Sequence, residues 1–493
     1  MAHEGTKLNA ARAFECSAAE KISAGDRPSF HLTPLTGWMN DPNGFCWYNG
    51  CYHLFYQYYP YDTVWGPMHW GHATSTDLLH WQYQPCTLAP DTIPDGMGCF
   101  SGSSLPLPDG RLLLMYTGVT ADPQGGKNLQ VQCVASGDGI DFVKEENNPV
   151  IPRTLLPEGY SAVDFRDPKI WYEGGSYYCA VASRHTENLG SVLLFESLDA
   201  LHWKFVTVLD SSRGQLGRMW ECPDFFALGN TQVLLVSPQE VQATADGEFH
   251  CGDNTAALLG SYDRTTHVFT RRSVQAVDQG LDFYAPQTTL APDGRRILVG
   301  WMQSWATTPT APRRHTWFGR MSLPRELAVH NGRLCQQPVR EIETLWADEI
   351  RLEGVTVAAP TGLPGIGGRS LDLTVTVDVA ASPDCRCFAL RFAEGGGRFV
   401  EVRCDLAKGS LTFDRSCGGC RRDIPHIRTL PAVPREGRLT LRLILDLDCA
   451  ELFLNGGERT VSALLEAPAQ AAGISFRAEG GPVRLTVVQH TLR

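Results

Sequence analysis

Short runs of β-branched and aromatic residues, separated by Gly, Pro, Asn and Asp, fill most of this 493-residue chain. Runs of this kind cover residues 51–58, 111–117, 170–182, 232–237 and 296–302. Strands that recur so often between turn-forming residues predict an all-β fold. Only the segment from residue 7 to about residue 22 is expected to form a helix.

Candidate functional residues recur along the chain at intervals of roughly sixty residues, a spacing that suits four-stranded repeats joined by long loops. These residues are Asp41, Ser101, Asp167, Glu221 and Tyr284. Five such repeats predict a five-bladed β-propeller. If the innermost strand of each blade delivers one residue to the central axis, side chains far apart in sequence meet around one ligand.

The pattern changes near residues 337–342, which predict a short helical connector, and strands alternate again from about residue 352. This second half is expected to form a β-sandwich. The predicted parts are an N-terminal helical extension (1–27), a propeller (28–338), a linker (339–351) and a sandwich (352–493). No tryptophan follows Trp346, which favours a supporting role for the sandwich over carbohydrate binding.

Charge and hydropathy argue against several kinds of partner. The net charge of −11 is moderate and the basic residues are scattered, which gives no support for binding nucleic acid or an anionic membrane. The first thirty residues hold charged side chains throughout and no apolar core, so we expect no secretory signal and a cytoplasmic protein. No stretch has the length of apolar residues needed to cross a bilayer.

Sixteen cysteines are spread over the chain, and without an export signal we expect most of them to be reduced and packed as small apolar side chains. Five of them lie in the C-terminal half and could supply zinc thiolates. They are Cys385, Cys387, Cys404, Cys417 and Cys420. The packing interpretation is favoured, so the sequence predicts no metal and no cofactor.

Three motifs place a carboxylate within two residues of a proline: Asn40-Asp41-Pro42, Arg166-Asp167-Pro168 and Glu221-Cys222-Pro223. A residue directly before proline is held in extended geometry, which restricts where its side chain points. Two or three converging carboxylates are what acid/base cleavage of a glycosidic bond requires. Taken singly, an aspartate before proline is usually a turn residue, as Asp122 before Pro123 is expected to be, and a lone glutamate is usually a surface charge.

Longer segments around these motifs resemble glycoside hydrolase family 32, the β-fructofuranosidases. The similar segments include Gly37-Trp38-Met39-Asn40-Asp41-Pro42-Asn43-Gly44, Trp65-Gly66-Pro67-Met68-His69-Trp70-Gly71-His72, Phe165-Arg166-Asp167-Pro168, Trp220-Glu221-Cys222-Pro223-Asp224 and Leu323-Pro324-Arg325-Glu326-Leu327. The resemblance implies a five-bladed propeller with its site in a funnel at one end of the axis, followed by a β-sandwich. It also implies that Asp41 is the nucleophile, Glu221 the acid/base and Asp167 the stabiliser of the transition state.

These roles demand different protonation states. In a retaining hydrolase one carboxylate attacks the sugar while a second gives and later retrieves a proton. We expect the amides of Asn40 and Asn43 to keep Asp41 ionised, and apolar neighbours to keep Glu221 protonated near neutrality. Arg166 is expected to keep Asp167 ionised.

Aromatic and polar residues at family positions are expected to line the fructosyl pocket. They are Asn40, Gln57, Trp65, Phe100, Ser101, Arg166, Tyr284 and Trp301. Judged without the resemblance, any single tryptophan or phenylalanine here is more readily explained as core.

The expected substrate is a small carbohydrate, either sucrose or, by similarity to sucrose-6-phosphate hydrolases, sucrose 6-phosphate. The cluster Arg313-Arg314-His315 could contact such a phosphate, or it could be an exposed basic loop. The alternatives are fructan hydrolysis or fructosyl transfer on the same machinery, and a non-catalytic sugar-binding propeller. The oligomeric state is left open.

Overall fold

The computed structural model describes residues 6–19, 27–308 and 315–493. Within them the chain forms a single α-helix, α1 (Thr6–Ala19), and thirty-two strands, which confirms the all-β prediction. The predicted helix agrees with α1 over residues 7–19, and its remainder falls outside the described residues. None of the described helices is long and apolar enough to span a membrane.

The first twenty-one strands form five sheets of four or five strands. In chain order they are β1 (Gly37–Tyr48), β2 (Cys51–Tyr59), β3 (His69–Ser75), β4 (Gln82–Leu88), β5 (Gly98–Pro106), β6 (Leu112–Thr120), β7 (Leu129–Gly137), β8 (Phe142–Lys144), β9 (Tyr160–Glu173), β10 (Ser176–His185), β11 (Leu189–Ser197), β12 (Trp203–Ser211), β13 (Met219–Leu228), β14 (Thr231–Gln239), β15 (Ala256–Asp263), β16 (Val268–Ala276), β17 (Tyr284–Leu290), β18 (Arg296–Trp301), β19 (Trp317–Phe318), β20 (Arg325–His330) and β21 (Arg333–Pro338).

The first strands of the five sheets pack against one another in order, and β17 returns to contact β1. Five antiparallel sheets thereby close a ring around a central axis, which confirms the predicted five-bladed propeller. The short strand β19 crosses back and pairs in parallel with Gly37 and Trp38 at the start of β1. This pairing ties the last blade to the first.

One turn repeats between blades and marks them as copies of the same unit. Between β3 and β4, Asp77 accepts hydrogen bonds from Ser75 Oγ and from the backbone N–H of His80. Between β11 and β12, Asp199 accepts the same bonds from Ser197 and His202. In both turns the aspartate satisfies backbone donors that no strand partner reaches.

The last eleven strands form two sheets, ordered β22-β32-β23-β28-β29-β30 and β27-β26-β25-β24-β31. They are β22 (Trp346–Val357), β23 (Ser370–Asp378), β24 (Cys387–Gly395), β25 (Arg398–Asp405), β26 (Ser410–Asp414), β27 (Ile427–Pro431), β28 (Arg438–Asp446), β29 (Cys449–Leu454), β30 (Arg459–Leu464), β31 (Gly473–Glu479) and β32 (Val483–Leu492). Their alternating apolar residues share one core, as in a β-sandwich. A 3-10 helix, Arg340–Leu345, leads into β22, which begins within the span 339–351 predicted as linker.

Buried ion pairs join the propeller to the sandwich. Arg325 on β20 donates to Glu451 Oε2 on β29, with Nη2 at 2.5 Å, and to Asp278 at 2.9 Å. His31 lies 2.9 Å from Asp446 and 3.0 Å from Glu451. The two carboxylates raise the pKa of His31 to about 9 against the opposing effect of burial. No local sequence signal indicates these pairings, because their partners lie far apart along the chain.

The sixteen cysteines are free, and ten of them are buried, as the packing interpretation requires. The thiol of Cys385 lies 3.3 Å from the carbonyl of Cys387, and Cys420 accepts a hydrogen bond from Arg398. In the part of the chain that the structure describes, no group of three His, Cys, Asp or Glu side chains is placed to hold a metal ion.

Candidate active site

Each innermost strand carries a β-bulge where its pairing with the second strand of its blade shifts register. The shifts fall between Met39 and Pro42, Phe100 and Gly102, Arg166 and Lys169, Glu221 and Asp224, and Tyr284 and Gln287. Proline stands inside or at the edge of the bulge in four blades, at positions 42, 168, 223 and 286. Proline has no N–H to leave unpaired in a bulge, and a bulge re-aims the neighbouring side chain. The bulges therefore set the directions of the site residues.

Three of the bulged residues have left-handed backbone conformations. The φ angles of Asp167, Cys222 and Ala285 are 65°, 49° and 51°. Residues other than glycine rarely take this conformation, and where they do the strain is often tied to function. Each of the three directly precedes a proline. The extended geometry expected of a residue before proline is therefore wrong at Asp167, whose φ is positive.

Asp41, Asp167 and Glu221 meet at this end of the axis. The thiol of Cys222 lies 3.6 Å from Asp41 Oδ2 and 3.6 Å from Asp167 Oδ2, so these two oxygens are at most twice that distance apart. Arg166, next to Asp167 in the chain, donates from Nε to Glu221 Oε1 at 2.9 Å. Three carboxylates from three blades thus face one space.

Asp41 is held by two neutral donors. Ser101 Oγ donates to Oδ2 at 2.7 Å, and Asn40 Nδ2 donates to Oδ1 at 3.1 Å. The expectation that Asn43 also donates to Asp41 is wrong, because the buried Nδ2 of Asn43 reaches no acceptor, while its Oδ1 accepts from the backbone N–H of Gly102. Burial and the nearby Glu221 carboxylate raise the pKa of Asp41, against the opposing effect of its two donors.

Asp167 is anchored through its backbone and through the neighbouring blade. Its N–H donates to Thr117 Oγ1 at 2.9 Å, and its Oδ2 accepts from the backbone N–H of Cys222 at 3.0 Å. Burial, assisted by the charge of Glu221, raises the pKa of Asp167 to about 7, although Arg166 lowers it. Arg166 therefore acts in the expected direction, but burial and the charge of Glu221 outweigh it.

The guanidinium of Arg166 pairs with Asp164 at 3.0 Å and with Glu221 at 2.9 Å. Glu221 Oε2 accepts two further hydrogen bonds, from Tyr284 at 2.6 Å and from Gln239 at 2.8 Å. The expectation of apolar neighbours around Glu221 is therefore wrong, because its carboxylate lies among hydrogen-bond donors. Trp220 does not contact it, because its ring packs in the core of blades three and four.

The remaining predicted pocket residues lie around this cluster at different depths. Gln57 on β2 is buried and donates to the carbonyl of Cys99 at 3.0 Å. Trp65 is 48% exposed and packs edge-on against Phe100, with ring centroids 5.9 Å apart. Trp301 is fully buried, and its ring lies 6.1 Å from that of Trp38. The structure brings Asn40, Ser101, Arg166 and Tyr284 into direct contact with the carboxylates. The hydrogen bond of Gln57 and the ring contacts of the other three are with residues outside this cluster.

Two residues near Glu221 were missed from the sequence. Gln239 ends β14, and a lone glutamine after Pro238 carries no signal of function. Asp253 lies in the loop before β15, and burial together with the charge of Glu221 raises its pKa to about 6. The loop shows no motif that would place an aspartate beside a glutamate from another strand.

The site can perform proton transfer and nucleophilic attack on a small polar ligand. Asp41 and Asp167 both have raised pKa values, and close carboxylates cannot all ionise readily in a buried space. The cluster therefore favours keeping a proton near neutral pH. Acid/base cleavage of a glycosidic bond needs a carboxyl group that can give a proton beside one that can attack, so the fold and site define the class of glycoside-cleaving enzymes.

Comparisons with known proteins define the family. The N-terminal domain model of glycosyl hydrolases family 32 matches residues 31–338, and the C-terminal model matches residues 341–492. A raffinose invertase of Escherichia coli is 39% identical over 484 residues, covering 95% of this chain and 96% of the relative. A sucrose-6-phosphate hydrolase of Escherichia coli is 34% identical over 490 residues, covering 98% of both. The chain therefore belongs to glycosyl hydrolase family 32, which confirms the resemblance.

A solved structure agrees over the whole chain. A GH32 beta-fructofuranosidase of Bombyx mori superposes with a TM-score of 0.84 at 32% identity and covers 99% of both chains. The sucrose-6-phosphate hydrolase of Lactobacillus gasseri superposes with a TM-score of 0.83 at 27% identity, covering 99% of this chain and 96% of the other. Propeller and sandwich are therefore shared with both structures.

Proposed function

We propose that this chain is a retaining β-fructofuranosidase that hydrolyses sucrose or sucrose 6-phosphate through a covalent fructosyl-enzyme. The observation that carries the proposal is the meeting of Asp41, Asp167 and Glu221 from three blades in one partly enclosed space. The relatives named raffinose invertase and sucrose-6-phosphate hydrolase support the same reaction class. The proposed localisation is cytoplasmic, where a phosphorylated substrate would be met.

In the proposed first step an Asp41 oxygen attacks the anomeric carbon of the fructosyl unit. The bond between this carbon and the glycosidic oxygen breaks, and Glu221 gives its proton to the departing oxygen. The transition state resembles an oxocarbenium ion, so a nearby negative charge lowers its free energy. In its ionised form Asp167, which the N–H of Cys222 holds in place, supplies that charge and accepts hydrogen bonds from sugar hydroxyls.

In the second step water attacks the same carbon. Glu221 takes a proton from the water, the bond to Asp41 breaks, and fructose leaves with the starting protonation restored. Arg166 contacts Glu221 Oε1 at 2.9 Å and holds the carboxyl group in place for this step. Ser101 and Asn40 stabilise the Asp41 carboxylate that is released.

The pocket residues would orient the fructosyl ring. The rings of Trp65 and Phe100 meet at the rim, where they can pack on sugar C–H faces. Gln57 and Trp301 lie deeper and would limit the size of the ring that fits. Arg313 and Arg314, the candidate phosphate contacts, lie outside the described residues, whereas His315 is described.

Two variants and one matched control test the roles. Asp41→Ala and Glu221→Ala should each lower kcat for fructose release from sucrose by about 10³-fold or more while the protein remains folded. Asp122→Ala removes another aspartate before proline, one whose carboxylate accepts the N–H of Gln124 in a surface turn, and should leave kcat unchanged. Near wild-type turnover in either site variant would refute the assignment.

The preferred substrate can be identified by comparing the specificity constants of several substrates on one preparation of the enzyme. Specificity constants for sucrose, sucrose 6-phosphate, raffinose and inulin rank the phosphorylated, unphosphorylated and longer substrates directly. A preference for inulin would replace sucrose hydrolysis by fructan hydrolysis as the function. Trisaccharide products at high sucrose concentration would indicate fructosyl transfer.

A further inference from the structure

Gln239 contacts the proposed acid/base directly from a neighbouring strand. Its Nε2 donates to Glu221 Oε2 at 2.8 Å. The backbone carbonyl of Gln239 accepts a hydrogen bond from the backbone N–H of Arg218 at 3.1 Å, which fixes the backbone that carries the side chain. A Cβ at Gly217 would lie 2.2 Å from this carbonyl, so only glycine allows the chain to close so tightly on Gln239. The end of β14 is thus held firmly against β13.

The same strand supports a second donor to the same oxygen. Tyr284 donates to Glu221 Oε2 at 2.6 Å, and its hydroxyl also lies 3.2 Å from the carbonyl of Ser237. The carbonyl of Ser237 and the side chain of Gln239 both belong to the end of β14, so this strand supports both donors. Oε2 therefore accepts two hydrogen bonds from one rigid wall of the site.

The two oxygens of Glu221 are consequently unequal. A carboxylate offers about four lone-pair positions, two on each oxygen. Both positions on Oε2 are taken, by Tyr284 and Gln239, whereas Oε1 accepts from Arg166 Nε and keeps one position open. Against the effect of burial, the charges of Glu221 and Asp167 both raise the pKa of Arg166, so the guanidinium that contacts Oε1 also lies close to Asp167.

We infer that Gln239 is a positioning residue that, together with Tyr284, occupies Oε2 and so makes Oε1 the oxygen that exchanges the proton with the substrate. The inference rests on the proposed function, in which Glu221 is the acid/base. The proton moves from Oε1 to the glycosidic oxygen as the bond to the anomeric carbon breaks, and returns to Oε1 from water. Gln239 neither gains nor loses a proton.

The test compares two substrates that differ in their need for an acid. Cleavage of sucrose requires protonation of the leaving oxygen, whereas β-fructosyl fluoride releases fluoride with much less protic help. Gln239→Met keeps the length of the side chain and removes the donor. We expect kcat/KM for sucrose to fall about tenfold and kcat/KM for the fluoride to change less than about twofold.

Gln232→Met is the matched control, because Gln232 lies at the other end of the same strand. It should change neither constant. Equal losses on both substrates in Gln239→Met, or no loss on either, would overturn the inference. If the wild-type enzyme releases no fructose from either substrate, the proposed function itself fails, and the two failures are thereby distinguished.

Gln239→Glu provides a second readout that a purely structural role would not produce. When protonated, the new carboxyl group can donate to Oε2 as the amide does, and when ionised it repels Glu221. The ratio of its kcat/KM for sucrose to that of the wild type should therefore rise as the pH is lowered from about 7 to about 5. A ratio that does not change over this range contradicts the inference.

Discussion

Buried carboxylates occupy two regions of this molecule, the funnel of the propeller and the joint between propeller and sandwich, and their electrostatics are opposite. In the joint, Asp446 and Glu451 have lowered pKa values. In the funnel, Asp41 and Asp167 have raised pKa values. Burial is the largest influence in all four and favours the neutral acid, so the partners decide the outcome.

The partners differ in number and placement. Glu451 contacts both Arg325 and His31, and Asp446 contacts His31 together with the backbone N–H groups of residues 29–31. In the funnel, Asp41 is met by neutral donors and the guanidinium of Arg166 points to Glu221. In the joint each buried carboxylate has a positively charged partner, so the charges are matched and the contact is fixed. In the funnel the carboxylates outnumber the positive charges, and this unmatched charge leaves carboxyl groups able to exchange protons near neutral pH.

The largest expected effect is on the free energy of unfolding, which a substitution in the joint should lower and a substitution in the funnel should not. Arg325→Met leaves Glu451 and Asp278 buried without their guanidinium and should lower the free energy of unfolding by about 3–5 kcal/mol. Asp41→Asn removes a carboxylate whose ionisation is disfavoured by folding, so it should not destabilise the protein although it abolishes activity. Urea unfolding measures the first change, and fructose release per folded molecule measures the second.

Arg403→Met serves as the control for the joint. Arg403 pairs with Glu479 on the surface of the sandwich, where both side chains are exposed. Removing an exposed pair costs about 0–1 kcal/mol. If Arg325→Met is no more destabilising than Arg403→Met, the joint does not depend on matched charge and the comparison between the two regions fails.

A smaller, pH-dependent effect is expected from His31. Its pKa is raised to about 9 in the folded protein, so its contribution to stability is full below the unfolded value near 6.5 and is lost as the pH rises through about 9. Its facing groups are Asp446 and Glu451, which stay ionised across this range. We expect His31→Gln to be less stable than the wild type by about 3 kcal/mol at pH 6, and the gap to narrow by pH 10.

Thermal or urea unfolding at both pH values checks this prediction. His202→Gln is the control, because the His202 side chain is 89% exposed and pairs with Asp199 at the surface. A His31→Gln deficit that is the same at pH 6 and pH 10 would show that the imidazole contributes by packing alone and not by charge.

The fold was predictable because its signals are local. Strands, turns and the proline beside four of the five bulges are properties of adjacent residues, and the sixty-residue spacing of Asp41, Ser101 and Asp167 reports the blade repeat directly. The joint was not predictable, because nothing near Arg325 in sequence indicates Glu451, 126 residues away, as its partner. Long-range charge pairing depends on which surfaces the fold brings together.

The site divides in the same way. The carboxylates and Asn40, Ser101 and Arg166 lie within or beside motifs, so the sequence indicated them. Their hydrogen-bond partners were harder to predict, because a side chain that stands beside a carboxylate in sequence can point away from it in a strand. Trp220 and Arg166 illustrate this: the first faces a core, and the second bridges to another blade.

The smallest expected effect concerns Asp253, whose pKa is raised to about 6 by burial and by Glu221. Asp253→Asn removes a negative charge near the proposed acid/base and so favours its ionised form. The alkaline limb of the profile of kcat/KM against pH should move to lower pH by a fraction of a unit, with a change of about threefold or less at the optimum. Asp253→Glu retains the charge and should leave the limb near its wild-type position. An alkaline limb that stays at its wild-type position in Asp253→Asn would mean that the charge on this loop does not act on Glu221, and that unmatched charge in the funnel is confined to the three converging carboxylates.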